Sequence, residues 1–160
     1  MRSRVLNLAI LVGTCALLLM MATRGAGPGL YAVTSGSMSP GIPVGAAVLV
    51  VPCSFERIQV GDVVTFSRGS SLVTHRVVGI DEEERGLVTK GDANQVNDAG
   101  LVGAGQLLGK VFLSLPKAGL LVMFIASREG RLSLLAFVLL LSAVSALLEV
   151  PVERRRELDA

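Results

Sequence analysis

Two uncharged apolar runs, one near each end, constrain this chain more than any other feature of its sequence. Val5 to Ala22 is interrupted only by Asn7, Gly13, Thr14 and Cys15, and Leu132 to Leu148 only by Ser133, Ser142 and Ser145. Each approaches the ~20 residues needed to cross a hydrocarbon core of roughly 30 Å. The 160 residues are 51% apolar but only 4% aromatic, so the excess lies in Leu, Val and Ala, which suits lipid-facing helices. Charged residues make up 18% of the chain, too few for a disordered protein of this hydrophobicity. A net charge of +2 leaves no footprint for nucleic acid.

The first run has a rival explanation, because Arg2 and Arg4 before an apolar stretch also describe a cleaved secretory signal. The run exceeds a signal's usual core and has no clear small-x-small site directly after it, so a retained anchor is the expectation. Arg154, Arg155 and Arg156 beyond the second run, with Arg2 and Arg4 before the first, put both ends in the cytoplasm; Arg24, Lys117, Arg128 and Arg131 oppose this weakly. The expected organisation is a cytoplasmic N-terminus over 1–4, a transmembrane helix over 5–23 and an extracytoplasmic β domain over 24–117. An interfacial apolar segment over 118–131 follows, then a second transmembrane helix over 132–150 and a basic cytoplasmic tail over 151–160. Cys15 and Cys53 fall in different parts of this plan, without the spacing of a metal site, and read as structural.

Between the runs the pattern changes to short β-branched stretches separated by turns. Ala47–Val51, Val63–Phe66, Leu72–Ile80, Leu87–Thr89 and Leu107–Leu115 read as strands, with Pro52 and Pro116 closing the first and the last. The Gly-rich stretch 24–29 reads as a hinge. The expected fold class is mainly β: a small antiparallel sheet curled into a partial barrel and flanked by two transmembrane helices.

Three polar clusters fall in this domain: Thr34 to Pro40, Thr74-His75-Arg76 with the only histidine, and Lys90 to Asp98. Taken singly, each has an ordinary structural explanation: a serine turn, a satisfied strand histidine, and aspartates that form turns. Together they hold the parts of nucleophilic acyl transfer. A serine hydroxyl needs a base to take its proton, histidine is the natural base near neutral pH, and a carboxylate fixes the ring's tautomer. Glycine beside the serine lets a carbonyl approach backbone N–H groups that hold an oxyanion.

In that order and context the motifs resemble type I signal peptidase, in the endoplasmic-reticulum/archaeal branch. Ser35-Gly36-Ser37-Met38-Ser39-Pro40 resembles the family's serine box, and Val60-Gly61-Asp62-Val63-Val64-Thr65-Phe66 its Gly-Asp strand. Thr74-His75-Arg76-Val77-Val78 is similar to the box carrying the base, and Thr89-Lys90-Gly91-Asp92 with Asp98 to the acidic box. Gly109-Lys110-Val111 through Pro116 is similar to the closing strand. The resemblance implies Ser37 as nucleophile and His75, where the ordinary bacterial enzymes carry lysine, as base. It further implies Asp98 as the aspartate tied to catalysis, Asp92 as a secondary acidic residue, and Ser35 as a contributor to the oxyanion hole. Two positions depart from the family pattern: Ser39 stands where glutamate is usual, and Gly45-Ala46 where Gly-Asp is usual.

The resemblance implies a membrane-bound serine endopeptidase that removes signal peptides and needs neither cofactor nor metal. Its partners would be preproteins, membrane lipid and the protein-translocation channel, not nucleic acid. The expected location is the plasma membrane of a prokaryote, with the catalytic domain on the extracytoplasmic face. Two alternatives stand beside it: an inactive membrane module that binds apolar peptides, and a specialised protease that uses Lys90 as base.

Overall fold

The computed structural model describes residues 13, 14 and 27–149. The chain divides into two compact units, residues 25–123 and residues 1–24 with 124–160. The first unit is a six-stranded antiparallel sheet made of β1 (Gly29–Ala32), β2 (Ala47–Val51), β3 (Val63–Arg68), β4 (Ser71–Asp81), β5 (Gly86–Lys90) and β6 (Leu107–Leu115). Two helices follow, α1 (Gly119–Ala126) and α2 (Arg128–Glu149). In space the strands run β1-β2-β6-β3-β4-β5, so β6 returns from the end of the unit to lie between β2 and β3.

The five expected strands are present, with β2 and β6 at the expected bounds and β3, β4 and β5 longer by one or two residues at their ends. β1 is not among the expected strands, and only its first residue, Gly29, falls in the stretch expected as a hinge. Its sequence, Gly-Leu-Tyr-Ala, is too short to show an alternating pattern. It becomes a strand by pairing Leu30 with Leu49 and Tyr31 with Val48, a tertiary contact that local sequence does not reveal.

Apolar side chains from the strands and the turns between them form two core clusters. Ile58, Val64, Phe66, Val77, Leu87 and Val102 make one. Met38, Ile42, Ala46, Val48 and Val50 make the other, joined by half-buried Tyr31 and Val111. Cys53 packs at the edge of the first cluster with its thiol free, as a structural cysteine would; Cys15 lies outside the described residues. Close packing of β6 against β2 depends on Gly109. A Cβ there would lie 2.3 Å from the Val51 carbonyl oxygen, well inside contact distance. The pairings of β6 with its neighbours are irregular here, shifting between Leu49 and Val50 and between Thr65 and Phe66. The sheet coils strongly enough for Tyr31 on β1 and Arg68 on β3 to line one cleft, although β2 and β6 lie between those strands in sheet order.

The membrane-spanning part of the expected fold is not supported. Among the described residues no helix is long and apolar enough to cross a membrane. α2 opens with Arg128, Glu129 and Arg131, which charge its first turn. The expected first span over 5–23 lies outside the described residues except for helical Gly13 and Thr14, as do residues 1–4 and the tail over 151–160. Within 118–131, the expected interfacial stretch, the chain forms α1 and the start of α2, and Leu120, Leu121, Met123 and Phe124 are exposed.

Candidate active site

The site assembles from three places in the sheet unit: the turn after β1, the middle of β4, and the end of β5 with the loop that follows it. His75 sits on β4 opposite Val64, and by strand alternation it shares a face with Val73 and Val77. It is 7% exposed, and the buried Phe66 ring meets it edge-on at 6.5 Å between centroids. A ring so enclosed has few rotamers open to it.

Ser37 reaches this ring from a turn held at both ends. The Ser39 N–H donates to the Gly36 carbonyl and the Ile42 N–H to the Met38 carbonyl, at 3.0 and 2.7 Å. Met38, 1% exposed, plugs the second core cluster and anchors the turn. On the other side the Ser37 carbonyl accepts from the Ala93 N–H at 2.9 Å. That contact requires glycine at position 91, where a Cβ would stand 2.6 Å from the same carbonyl oxygen.

The resulting geometry is a continuous hydrogen-bonded relay. Ser37 Oγ lies 3.1 Å from His75 Nε2, and His75 Nδ1 lies 2.6 Å from Asp98 Oδ2. Thr89, buried on β5, donates its hydroxyl to the same Asp98 oxygen at 2.7 Å, while its carbonyl accepts from the Asp98 N–H at 2.8 Å. Burial pushes the Asp98 carboxyl up. The hydrogen bonds from His75 and Thr89, with the charges of His75 and Arg68, outweigh it and hold the group below the usual carboxylate range. An ionised Asp98 accepts from Nδ1–H, which leaves Nε2 free to accept from the serine hydroxyl. The Ser37 N–H has no hydrogen-bond partner among the described residues. Ser35 Oγ lies 3.3 Å from Ser37 Oγ, so the two hydroxyls stand together at the cleft.

The two aspartates singled out in the sequence part company. Asp98 bonds the imidazole. Asp92 bonds Arg76, accepting from Nε at 2.8 Å and Nη2 at 2.7 Å, while Arg76 Nη1 donates to the Gly61 carbonyl at 2.8 Å. The hydrogen bonds from Arg76 hold the Asp92 carboxyl below its ordinary range against a smaller opposing effect of burial. Lys90, the alternative base, ends β5 opposite Arg76, and its side chain makes no hydrogen bond among the described residues. Three contributors carried no role in the sequence reading: Thr89, Arg76 and Arg68. Thr89 and Arg76 stood inside the quoted motifs, and only their side-chain partners in space give them a part.

A cleft of about 420 Å³ opens over the relay, and Tyr31, Val33, Leu72 and Val73 are among its lining residues. No group of metal-ligating side chains is present among the described residues. The arrangement can take a proton from Ser37 to His75 and hold the resulting imidazolium against Asp98, which is what attack on a carbonyl requires.

Known proteins with similar sequences agree with the motifs. Signal peptidase complex catalytic subunit SEC11C from Homo sapiens is 32% identical over 111 residues, covering 64% of this chain and 57% of that protein. The SEC11C protein from Canis lupus familiaris matches to the same extent. This chain is similar in sequence to signal peptidase catalytic subunits. Signal peptidase complex catalytic subunit sec11 from Dictyostelium discoideum is 29% identical over 156 residues, covering 89% of this chain and 87% of that protein. The chain thus spans a little over half the length of the SEC11C proteins it matches, at 57%. No family model matches the chain. The resemblance to type I signal peptidase read from the motifs is borne out by these homologues.

Proposed function

We propose that this chain is a membrane-bound serine endopeptidase that removes signal peptides from preproteins. The observation that carries this reading is the unbroken contact from Ser37 Oγ through both nitrogens of His75 to Asp98, at 3.1 and 2.6 Å. The names of the homologues supply the substrate class, since they are catalytic subunits of a signal peptidase complex.

In this mechanism Ser37 Oγ attacks the scissile carbonyl carbon while its proton passes to His75 Nε2. Asp98 stabilises the imidazolium and keeps the ring in place without taking the proton itself. The Ser37 N–H and the Ser35 hydroxyl hold the oxyanion of the tetrahedral intermediate. His75 then protonates the leaving amine as the C–N bond breaks, which leaves the signal peptide esterified to Ser37. Water, deprotonated by the same histidine, releases it. Asp92 works at one remove: bonded to Arg76, it steadies the 91–94 turn that grips the Ser37 carbonyl.

The reading places the sheet unit on the extracytoplasmic face of a membrane, held there by the apolar runs over 5–23 and 132–150. Uncharged Leu132 to Leu148 and the exposed Leu120, Leu121, Leu139 and Leu140 support that placement. Preproteins and lipid are the partners it requires, and the translocation channel is their source. The homologues above come from eukaryotes, so they lend no support to a prokaryotic plasma membrane in particular.

Expression in membranes with a labelled preprotein tests the reading. The wild-type chain should release the mature protein, and Ser37→Ala and His75→Ala should each abolish release. Lys90→Ala should retain it. Release by Ser37→Ala would remove the enzyme reading, and loss in Lys90→Ala with survival in His75→Ala would move the base to Lys90.

A further inference from the structure

Arg68, the last residue of β3, has no part in the relay, yet it stands at the cleft beside it. Its guanidinium lies over the buried Phe66 ring, 5.4 Å from the centroid, and that same ring packs edge-on against His75. Arg68 Nη2 approaches Asp98 Oδ2 at 3.8 Å, beyond hydrogen-bond distance, while that oxygen already accepts from His75 and Thr89. The side chain is 44% exposed against 7% for Asp98, and it lines the cleft. The Arg68 side chain makes no hydrogen bond among the described residues, which leaves the donors of its guanidinium open to a ligand. The residues lining the cleft include no lysine, aspartate or glutamate. Among the lining residues Arg68 is thus the one fixed charge that a bound peptide meets, with the Asp98 carboxylate buried behind it.

Resting on the peptide-cleaving reading of Ser37, His75 and Asp98, we propose that Arg68 sets a charge preference on the substrate. It favours an acidic side chain near the scissile bond and disfavours a basic one. A carboxylate there can take a two-pronged contact from a guanidinium already held in place by Phe66. A lysine or arginine at the same point meets Arg68 and, as the reaction proceeds, the imidazolium of His75. For a partly exposed pair the discrimination between acidic and basic peptides should be about threefold to tenfold in kcat/KM.

The test uses the full chain in phospholipid vesicles with peptides identical except for Glu, Gln or Lys at one position. That position is moved in steps from three residues before the cut to three after it. At one or more positions the wild type should cleave in the order Glu, Gln, Lys. At those positions Arg68→Lys should keep the order, Arg68→Gln should bring the Glu-to-Lys ratio to about one, and Arg68→Glu should invert it. Raised salt should compress the wild-type ratio. The ratio is taken within one preparation, so a smaller folded fraction does not alter it. The proposal is overturned if the wild type shows no preference at any position, or if its preference survives in Arg68→Glu. It is equally overturned if Arg68→Gln slows all three peptides alike and the wild-type ratio is unchanged, which would make Arg68 a positioning residue acting through Asp98 alone. Ser37→Ala run beside these separates the two claims, because cleavage by that variant removes the underlying reading and not the charge preference.

Discussion

At the scale of single residues, one oxygen carries much of the site's electrostatics. Asp98 Oδ2 accepts from His75 Nδ1 and Thr89 Oγ1 and has Arg68 nearby. Replacing Asp98 by asparagine keeps the shape but offers an amide that no longer demands Nδ1–H, so the ring is free to present the wrong tautomer to Ser37. We predict that Asp98→Asn lowers kcat by about 10⁴ while thermal unfolding shows a folded protein. Turnover within tenfold of the wild type would show that Asp98 does not govern the base. Asp92→Asn should leave the His75 contacts in place and act on Arg76 instead. The sequence made Ser37, His75 and the two aspartates candidates, but residue type alone could not bring together side chains separated by 38 and 23 positions. Their assembly became legible only through motif order. The division of labour between Asp92 and Asp98 needed Arg76 and Thr89 in three dimensions.

At the scale of elements, the 35–41 turn is positioned by what flanks it. Gly91 lets the 91–94 turn close on the Ser37 carbonyl, and Gly91→Ala forces those backbones apart. A shift of about 1 Å in a reacting group costs about 10² in rate, so Gly91→Ala should lose about that much kcat while its circular dichroism stays that of the wild type. Unchanged kcat would mean that the turn tolerates the displacement. Met38 secures the same turn from the core side. Met38→Ala should destabilise the sheet unit by about 2–5 kcal/mol, read by denaturant unfolding. Strands rich in valine and bounded by proline or glycine were legible, with β2 and β6 matching end to end. β1 was not, because four residues exist as a strand only by virtue of β2, and α1 was not, because an apolar stretch has no helical period to read.

For the whole molecule, charge and apolar surface govern behaviour in opposite settings. Asp92 and Asp98 both titrate below the ordinary carboxylate range of about 3.9 in the folded chain. The unfolded chain therefore binds more protons than the native one as pH falls through that range, and stability falls with it. Their contribution should be complete above about pH 5 and lost progressively as pH drops through the folded values. Denaturant midpoints measured from pH 6 downward should decline, and the decline should be shallower in Asp92→Asn than in the wild type. An equal slope in both would show that Asp92 does not contribute. On the proposed membrane-bound reading, the chain should stay with the membrane pellet after an alkaline carbonate wash. Recovery in the supernatant would contradict it.

In the proposed function Ser37 is the nucleophile that opens the peptide bond of a preprotein. Its most direct test is to mix the chain with preprotein, quench in acid within one turnover, and map the covalent adduct by mass spectrometry. The expected adduct is an ester joining the signal peptide's C-terminal carbonyl to Ser37, accumulating when deacylation is slowed and absent in Ser37→Ala. Mature protein released by the wild type with no adduct on Ser37, or with the adduct on another side chain, would contradict it.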